Sequence, residues 1–331
     1  MRGRERWVGV SGVAAAILVL TACNSAPTGR LEGVRRPSPG VSAPPAASGS
    51  SVALFPPSGV SPAPASPAVP DGRALRPESM GAAGVSPFDL ARRFELADPG
   101  AVAERLRAAE AAIRSPATPA TELASLGPLQ QAAYRQLVAH PEWLPVVLER
   151  LPTDLRPVAE ANVTAGRELR PLARPRSTLP PWRIVAPPPP EKLLGYYREA
   201  QASFGVPWEY LAAIHLVETR MGRIVGTSSA GAQGPMQFLP QTWARYGRGD
   251  INDHHAAILA AARYLVARGA PGDMARALYG YNPSQRYVRA ITIYAQQMQA
   301  EARAYDAYYH WQVYYRTTQG DALLFEGWQG P

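Results

Sequence analysis

Proline sets the first limit on how this chain can fold. It accounts for 35 of the 331 residues, more than the 28 glycines, and it is spread unevenly. Proline lacks the backbone N–H that helices and sheets use, so a stretch dense in it reads as linker rather than core. Residues 24 to about 85 hold Pro44, Pro45, Pro56, Pro57, Pro62, Pro64, Pro67 and Pro70 without a fixed period, among Ala, Ser and Gly. Large apolar side chains are too few there to offset the entropy of ordering, which predicts a disordered tether over residues 23–85. A second stretch, Pro171 to Pro190, ends in four consecutive prolines. It predicts an extended strap over residues 171–190, from which Trp182, Ile184 and Val185 can dock on a neighbour.

Between and after these stretches the apolar spacing is helical. Pro87-Phe88 opens the pattern. Asp98-Pro99-Gly100 then introduces Ala101 to Arg114, with Val102, Leu106, Ala109 and Ile113 on one face. Thr121 to Ala139 carries Leu123, Leu126, Leu129, Ala133 and Leu137; Trp143–Leu151 and Leu155–Arg170 follow, separated by short Pro-bearing breaks. Residues 86–170 therefore read as a helical accessory region. Glu191 to Phe204 is helical again, and Gly205-Val206-Pro207 restarts the chain with Pro207 suited to a first helical turn. Asn252 or Asp253 can cap a helix over Ala256–Arg268. Met274–Tyr279 and one long helix over Ser284–Tyr308 complete a mainly α region, residues 191–308. The tail, residues 309–331, is aromatic. Val313–Thr317 and Ala322–Phe325 around Gly320-Asp321 suit a hairpin, and packing on the domain is its expected role ahead of sugar stacking.

The N-terminus looks like an export signal. Arg2, Arg4 and Arg6 precede an uncharged, mostly apolar Val8–Leu20, which is short for a membrane span of ~20 residues. Leu20-Thr21-Ala22-Cys23 resembles the lipobox of bacterial lipoproteins, with residues 1–22 as signal peptide and Cys23 as the lipidated N-terminus. Cys23 is the sole cysteine, so a lipidated chain has no disulfide, thiol nucleophile or cysteine-zinc site. The acyl chains would hold it at a membrane. Formal net charge is +8; loss of three Arg and one Glu with the signal leaves +6. Lys192 is the only lysine. An exported basic protein suits an anionic envelope polymer or lipid head groups. Export and the lack of a basic run argue against nucleic acid.

Chemistry concentrates in Tyr210–Gly222. On a helix from Pro207, Leu211, Ile214 and Glu218 share a face. Burial disfavours the charged form of a carboxyl, which makes Glu218 a candidate general acid; the competing reading is a surface Glu paired with Arg220 or Arg223. Glu209 is a weaker candidate, since the helix dipole alone favours an acid in the first turn. Downstream, the uncharged stretch Thr227–Gly234 lets backbone and Ser228 approach a ligand. Gln237 then stands among apolar groups, and Tyr281-Asn282 ends a helix. Metal binding by His215 with Glu218, or by His254-His255, lacks a third ligand of matching spacing. His215 reads as a satisfied helix histidine and His254-His255 as an exposed helix start. Asp250 and Asp253 lie downstream, and Asp253 reads as a cap.

In this order and spacing, Glu218-Thr219, then Gly231-Ala232-Gln233-Gly234-Pro235-Met236-Gln237-Phe238-Leu239-Pro240, then Gly280-Tyr281-Asn282 closely resemble the catalytic domain of soluble lytic transglycosylases. The family pattern has Glu-Ser, Gly-Ala-x-Gly-x-Met-Gln-x-x-Pro and Ala-Tyr-Asn, so Thr219 and Gly280 depart from it. The resemblance covers about residues 191–300. It implies a mainly α, lysozyme-like catalytic domain over residues 191–308, preceded by the accessory helices. It also implies peptidoglycan glycan strands as substrate, no cofactor, Glu218 as catalytic acid and base, and Ser228, Met236, Gln237, Tyr281 and Asn282 as groups shaping the saccharide groove. The N-terminal helices and aromatic tail resemble accessories of actinobacterial-type members. Two other activities remain open at this point: a lysozyme-type muramidase using water, and a peptidoglycan-binding lipoprotein that does not cut.

Overall fold

A computed structural model describes residues 85–331. The signal segment, Cys23 and all of the expected tether except Val85 lie outside the described residues. Val85 itself packs against the cluster of Leu90, Ala91 and Phe94.

The first two accessory helices form where capping and apolar periodicity agree, and the later ones start without a side-chain cap. Helix α1 (Pro87–Arg92) starts at Ser86, whose hydroxyl accepts from the Phe88 amide. Helix α2 (Pro99–Arg114) starts at Asp98, which accepts from the Gly100 and Ala101 amides. Its expected face of Val102, Leu106, Ala109 and Ile113 is buried. Helix α3 (Ala120–Ala139) runs through Pro128 and buries Leu123, Leu126, Leu129, Ala133 and Leu137. A single 3-10 turn (Pro141–Trp143) leads into α4 (Leu144–Arg150), and α5 (Arg156–Leu169) ends in a second turn, Arg170–Leu172.

The strap docks as expected. Trp182 and Ile184 are buried and Val185 is half-buried. Strand β1 (Arg183–Ile184) pairs antiparallel with β2 (Ile224–Val225). The space for the Trp182 ring exists because residue 226 is glycine: a Cβ there would lie 2.3 Å from the ring.

Helix α6 (Pro190–Phe204) stops at left-handed Gly205, and α7 (Trp208–Thr219) follows. Pro207 is its N-cap rather than its first helical residue, because Pro207 keeps an extended ψ of 133°. Next come α8 (Pro240–Tyr246), α9 (His254–Ala267) and α10 (Met274–Tyr281). Asp253, not Asn252, caps α9 by accepting from the Ala256 amide, while Asp250 accepts from the Asn252 amide.

The expected last long helix is two helices, α11 (Gln285–Ala300) and α12 (Arg303–Tyr309). Glu301 is extended (φ −146°, ψ 106°), and its side chain accepts from the Arg303 amide. Arg303 in turn donates to the Ile113 and Thr118 carbonyls at the end of α2. These bonds redirect the chain where apolar spacing alone would have continued it.

The aromatic tail forms the expected hairpin, β3 (Val313–Thr317) with β4 (Gly320–Leu324), in register from Val313↔Leu324 to Thr317↔Gly320. Its turn is at Thr318-Gln319, earlier than the Gly320-Asp321 expected. Thr317 Oγ1 closes the turn by donating to the Gly320 carbonyl (2.7 Å) and accepting from the Gln319 amide.

One hydrophobic core runs through α2, α3, α5, α7, α9 and α11 and includes Trp311. Helix α11 packs on both α5 and α7. Buried polar bonds stitch the same parts together: Trp311 Nε1 donates to Gln130 Oε1 (2.9 Å), and the Tyr308 hydroxyl donates to Asn162 Oδ1 (2.7 Å).

Candidate active site

Helix α7 is buried on every side from Leu211 to Thr219, the pattern of a central core helix. Glu218 lies one residue from its end and is 3% exposed. Its Oε1 accepts from the Tyr287 hydroxyl of α11 at 2.8 Å. Burial pushes the Glu218 carboxyl up to about 8, against the opposing pull of the Tyr287 bond. The group is therefore neutral at pH 7. With Oε1 occupied as an acceptor, Oε2 is the oxygen left to carry the proton. The competing expectation of an ion pair does not hold: Arg220 donates to the Leu216 carbonyl and Arg223 to the Tyr309 carbonyl.

The chain leaves α7 through three consecutive left-handed residues, Arg220 (φ 54°), Met221 (φ 60°) and Gly222 (φ 88°). For the two that are not glycine this costs ~1–2 kcal/mol each. Thr219 holds the bend: its Oγ1 accepts from the Gly222 amide (3.0 Å) and donates to the Pro235 carbonyl (2.6 Å). The hydroxyl that replaces the family's Ser thus ties the helix end to the Gly-Ala loop. Gly222 also makes room for the His254 ring, which a Cβ would meet at 2.1 Å. His254 is accordingly half-buried against His215, not an exposed helix start. His215 Nδ1 is bonded to the Tyr197 hydroxyl (2.7 Å), while its Nε2 has no partner. Burial keeps His215 neutral by holding it well below its ordinary value.

The loop is closed by reciprocal Gln233–Phe238 backbone bonds of 2.9 Å. Gly234 (φ 73°) is required at its corner: a Cβ there would stand 2.0 Å from the Ile251 carbonyl oxygen. Ser228 serves the loop itself, its Oγ accepting from the Ala230 and Ala232 amides, with the hydroxyl proton left to donate. The Met236 side chain is wholly buried; its carbonyl accepts from the Tyr281 hydroxyl at 2.6 Å. Burial holds the Tyr281 hydroxyl well above its ordinary value, and ionisation of Glu218 would raise it further. Gln237 donates through Nε2 to the Gly234 carbonyl (2.9 Å) while its buried Oε1 has no partner. Asn282 is 1% exposed, and neither its Oδ1 nor its Nδ2 is bonded. Buried polar atoms are normally paired, so Gln237 and Asn282 present polar atoms with unmet bonding capacity.

The Pro235 carbonyl ties the loop to Thr219, next to Glu218, and the Met236 carbonyl ties it to Tyr281; neither Met236 nor Tyr281 is hydrogen-bonded to the carboxyl. Ser228, Gln237 and Asn282 make no hydrogen bond to it. Sequence reading missed Tyr287, the one side chain bonded to the carboxyl. Its signal was its place on the buried stripe of α11, Tyr287, Val288, Ile291 and Tyr294, three residues after the Ser284 cap.

Glu218 also borders a cavity of about 150 Å³ that the sequence did not suggest. The end of α7 forms one wall. The others come from α3, α5, the strap and the hairpin, through residues such as Arg135, Asn162, Trp182 and Arg316. None of the five expected groove residues lines it.

These features define a helical domain organised around one buried, protonated carboxyl beside a glycine-cornered loop. Residues 195–303 match the family described as "Transglycosylase SLT domain", and this part of the chain is a domain of that family. The chain is also similar to "Membrane-bound lytic murein transglycosylase F" of Thiobacillus denitrificans, 35% identical over 101 residues. That match takes in 28% of this chain and 21% of the relative, so the chain spans about a fifth of the relative's length. No solved structure matches the chain. The mainly α architecture agrees with the lysozyme-like fold that the resemblance implied.

Proposed function

We propose that the protein is a peptidoglycan lytic transglycosylase, cutting the β-1,4 bond between N-acetylmuramic acid and N-acetylglucosamine. The observation that carries this reading is Glu218, a buried carboxyl kept neutral at pH 7 with a single hydrogen-bond partner. No second carboxylate lines the cavity beside it, whereas a two-carboxylate glycosidase needs a partner within about 5 to 9.5 Å. The matched domain and the relative's name support the same activity.

In this mechanism Glu218 Oε2 donates its proton to the glycosidic oxygen, and the bond to the muramoyl anomeric carbon breaks. The substrate's own acetamido group stabilises that carbon, as in substrate-assisted glycosidases. Glu218, now a carboxylate, takes the proton from the muramoyl C6 hydroxyl. The C6 oxygen attacks the anomeric carbon and closes a 1,6-anhydro ring. Glu218 ends protonated and no water is consumed. Tyr287 bonds Oε1 throughout and eases the ionised stage. The unpaired Gln237 Oε1 and the amide of Asn282 supply bonds to sugar hydroxyl and acetamido groups, with Ser228 Oγ as a further donor.

Lipidation at Cys23 would place this activity at an envelope membrane, reached through the tether. Among the described residues no helix is long and apolar enough to cross one. Labelled fatty acid should enter the wild type and not Cys23→Ala; equal labelling refutes the anchor. The decisive test of the reaction is mass spectrometry of purified glycan after digestion. Products ending in 1,6-anhydromuramic acid are expected; products heavier by one water mean that water is the acceptor.

A further inference from the structure

The cavity beside Glu218 is lined by four arginines, Arg135, Arg170, Arg220 and Arg316. Only Arg135 has a carboxylate partner, Asp321, and it also lies over the Tyr314 ring at 3.9 Å. Arg220 donates to the Leu216 carbonyl at 2.6 Å. Arg316 donates to the carbonyls of Arg170 and Ala173 at 3.0 Å each. The Arg170 side chain has no hydrogen bond or ion pair among the described residues. The only acidic residue on the lining is Glu218, which is neutral. Asp321, bonded to Arg135, also acts on Arg170 and stands across the hairpin from Arg316, so four guanidinium groups share one ionised carboxylate beside this cavity.

Unpaired charge removed from water is costly. Burial lowers the pKa of Arg220 to about 10 and that of Arg170 in the same direction, with Arg316 adding to the effect on Arg170 and Asp321 opposing it. Both stay charged at pH 7, so an anion entering the cavity would gain three charge-assisted donors at once. The planar fork of arginine matches a carboxylate in two-point contact. Three of the four arginines lie outside residues 195–303. The accessory helices and the tail hairpin therefore bring this chemistry to the domain.

We propose that this cavity is a carboxylate subsite, which seats a free carboxylate carried by the muramoyl residue while the scissile bond lies at Glu218. The proposal rests on the reading of the protein as a peptidoglycan-cleaving enzyme. Two sources share the chemistry. In glycan without peptide the carboxylate is that of the lactyl ether. In peptide-bearing glycan that group is an amide, and the carboxylate belongs to the attached peptide.

The test is calorimetric titration of full-length Glu218→Gln, which binds without cutting, alone and combined with Arg170→Gln or Arg170→Lys. Three ligands are compared: a disaccharide-peptide with free carboxylates, the same compound with its carboxylates converted to primary amides, and the peptide-free disaccharide acid. Arg170→Gln is expected to weaken binding of a free-carboxylate ligand about tenfold, to leave the amidated ligand unchanged, and to be partly rescued by Arg170→Lys. Loss with the disaccharide-peptide assigns the peptide carboxylate; loss with the peptide-free acid alone assigns the lactyl group. Circular dichroism of each variant separates misfolding from lost contact, and Arg170→Lys gives a second folded comparison. Equal affinity for free and amidated ligands, or affinities unmoved by either Arg170 variant, overturns the proposal. Solubilisation of peptidoglycan by the wild type is scored separately. An inactive wild type refutes the enzymatic reading, while the binding comparison decides the subsite.

Discussion

Replacing Glu218 with Gln should make the protein more stable, and by an amount that depends on pH. The carboxyl titrates near 4.5 in an unfolded chain and at about 8 in the fold. Between those values the unfolded chain releases a proton that the folded chain retains, so stability falls as pH rises. From 4.5 to pH 7, at about 1.4 kcal/mol per pH unit, the loss is about 3 kcal/mol. Gln has nearly the same shape, carries no charge and keeps an Oε1 to accept from Tyr287. It should therefore be level with wild type near pH 4.5, more stable by about 3 kcal/mol at pH 7, and flat above pH 8. At roughly 2 °C per kcal/mol for a domain of this size, Tm at pH 7 rises by about 6 °C. Thermal melts of both proteins at pH 5 and pH 7.5 check this. A Tm difference that is the same at both pH values would refute the claim that the Glu218 carboxyl is held neutral by burial.

Peptidoglycan solubilisation should depend on pH for the same reason: kcat/KM holds below pH 8 and falls above it, as the acid loses its proton. In Tyr287→Phe the bond that lowers the Glu218 value is gone. A hydrogen bond worth ~1.5 kcal/mol moves the alkaline limb up by about one pH unit, and pH-rate profiles of the two proteins measure the difference. Gly234→Ala sets a carbon 2.0 Å from the Ile251 carbonyl oxygen at a positive φ, which should cost ~3 kcal/mol or more. A melt within 1 °C of wild type would show that the corner relaxes freely.

What could be read in the sequence was local. Capping at Asp253, the face of Val102, Leu106, Ala109 and Ile113, and the strand pair of the tail are set by neighbours a few residues apart, and each appears in the fold. Glu218 was legible because its surroundings on α7 are apolar in sequence as well as in space. The break at Glu301 was not legible, because two of the bonds that redirect the chain come from Ile113 and Thr118, far away in sequence. Tyr287 reaches Glu218 across 69 residues, and a tyrosine on a buried stripe reads as core. The arginine-lined cavity was hidden more deeply. Its walls come from segments spread between residues 131 and 316, and no arginine taken singly points to the others.

The shared core gives the domain boundary a different meaning. The stretch that the family recognises is residues 195–303. It is not the unit that folds here. Leu106, Leu137 and Val163 before it and Tyr308 and Trp311 after it belong to the same apolar interior as Leu211 and Ile291. A chain trimmed to the recognised stretch would present that interior to water and leave Glu218 facing solvent on the side where α5 and the hairpin now stand. The acid would then lose the burial that keeps it an acid. What surrounds the matched stretch walls the cavity beside Glu218 and so belongs to the setting of its proton.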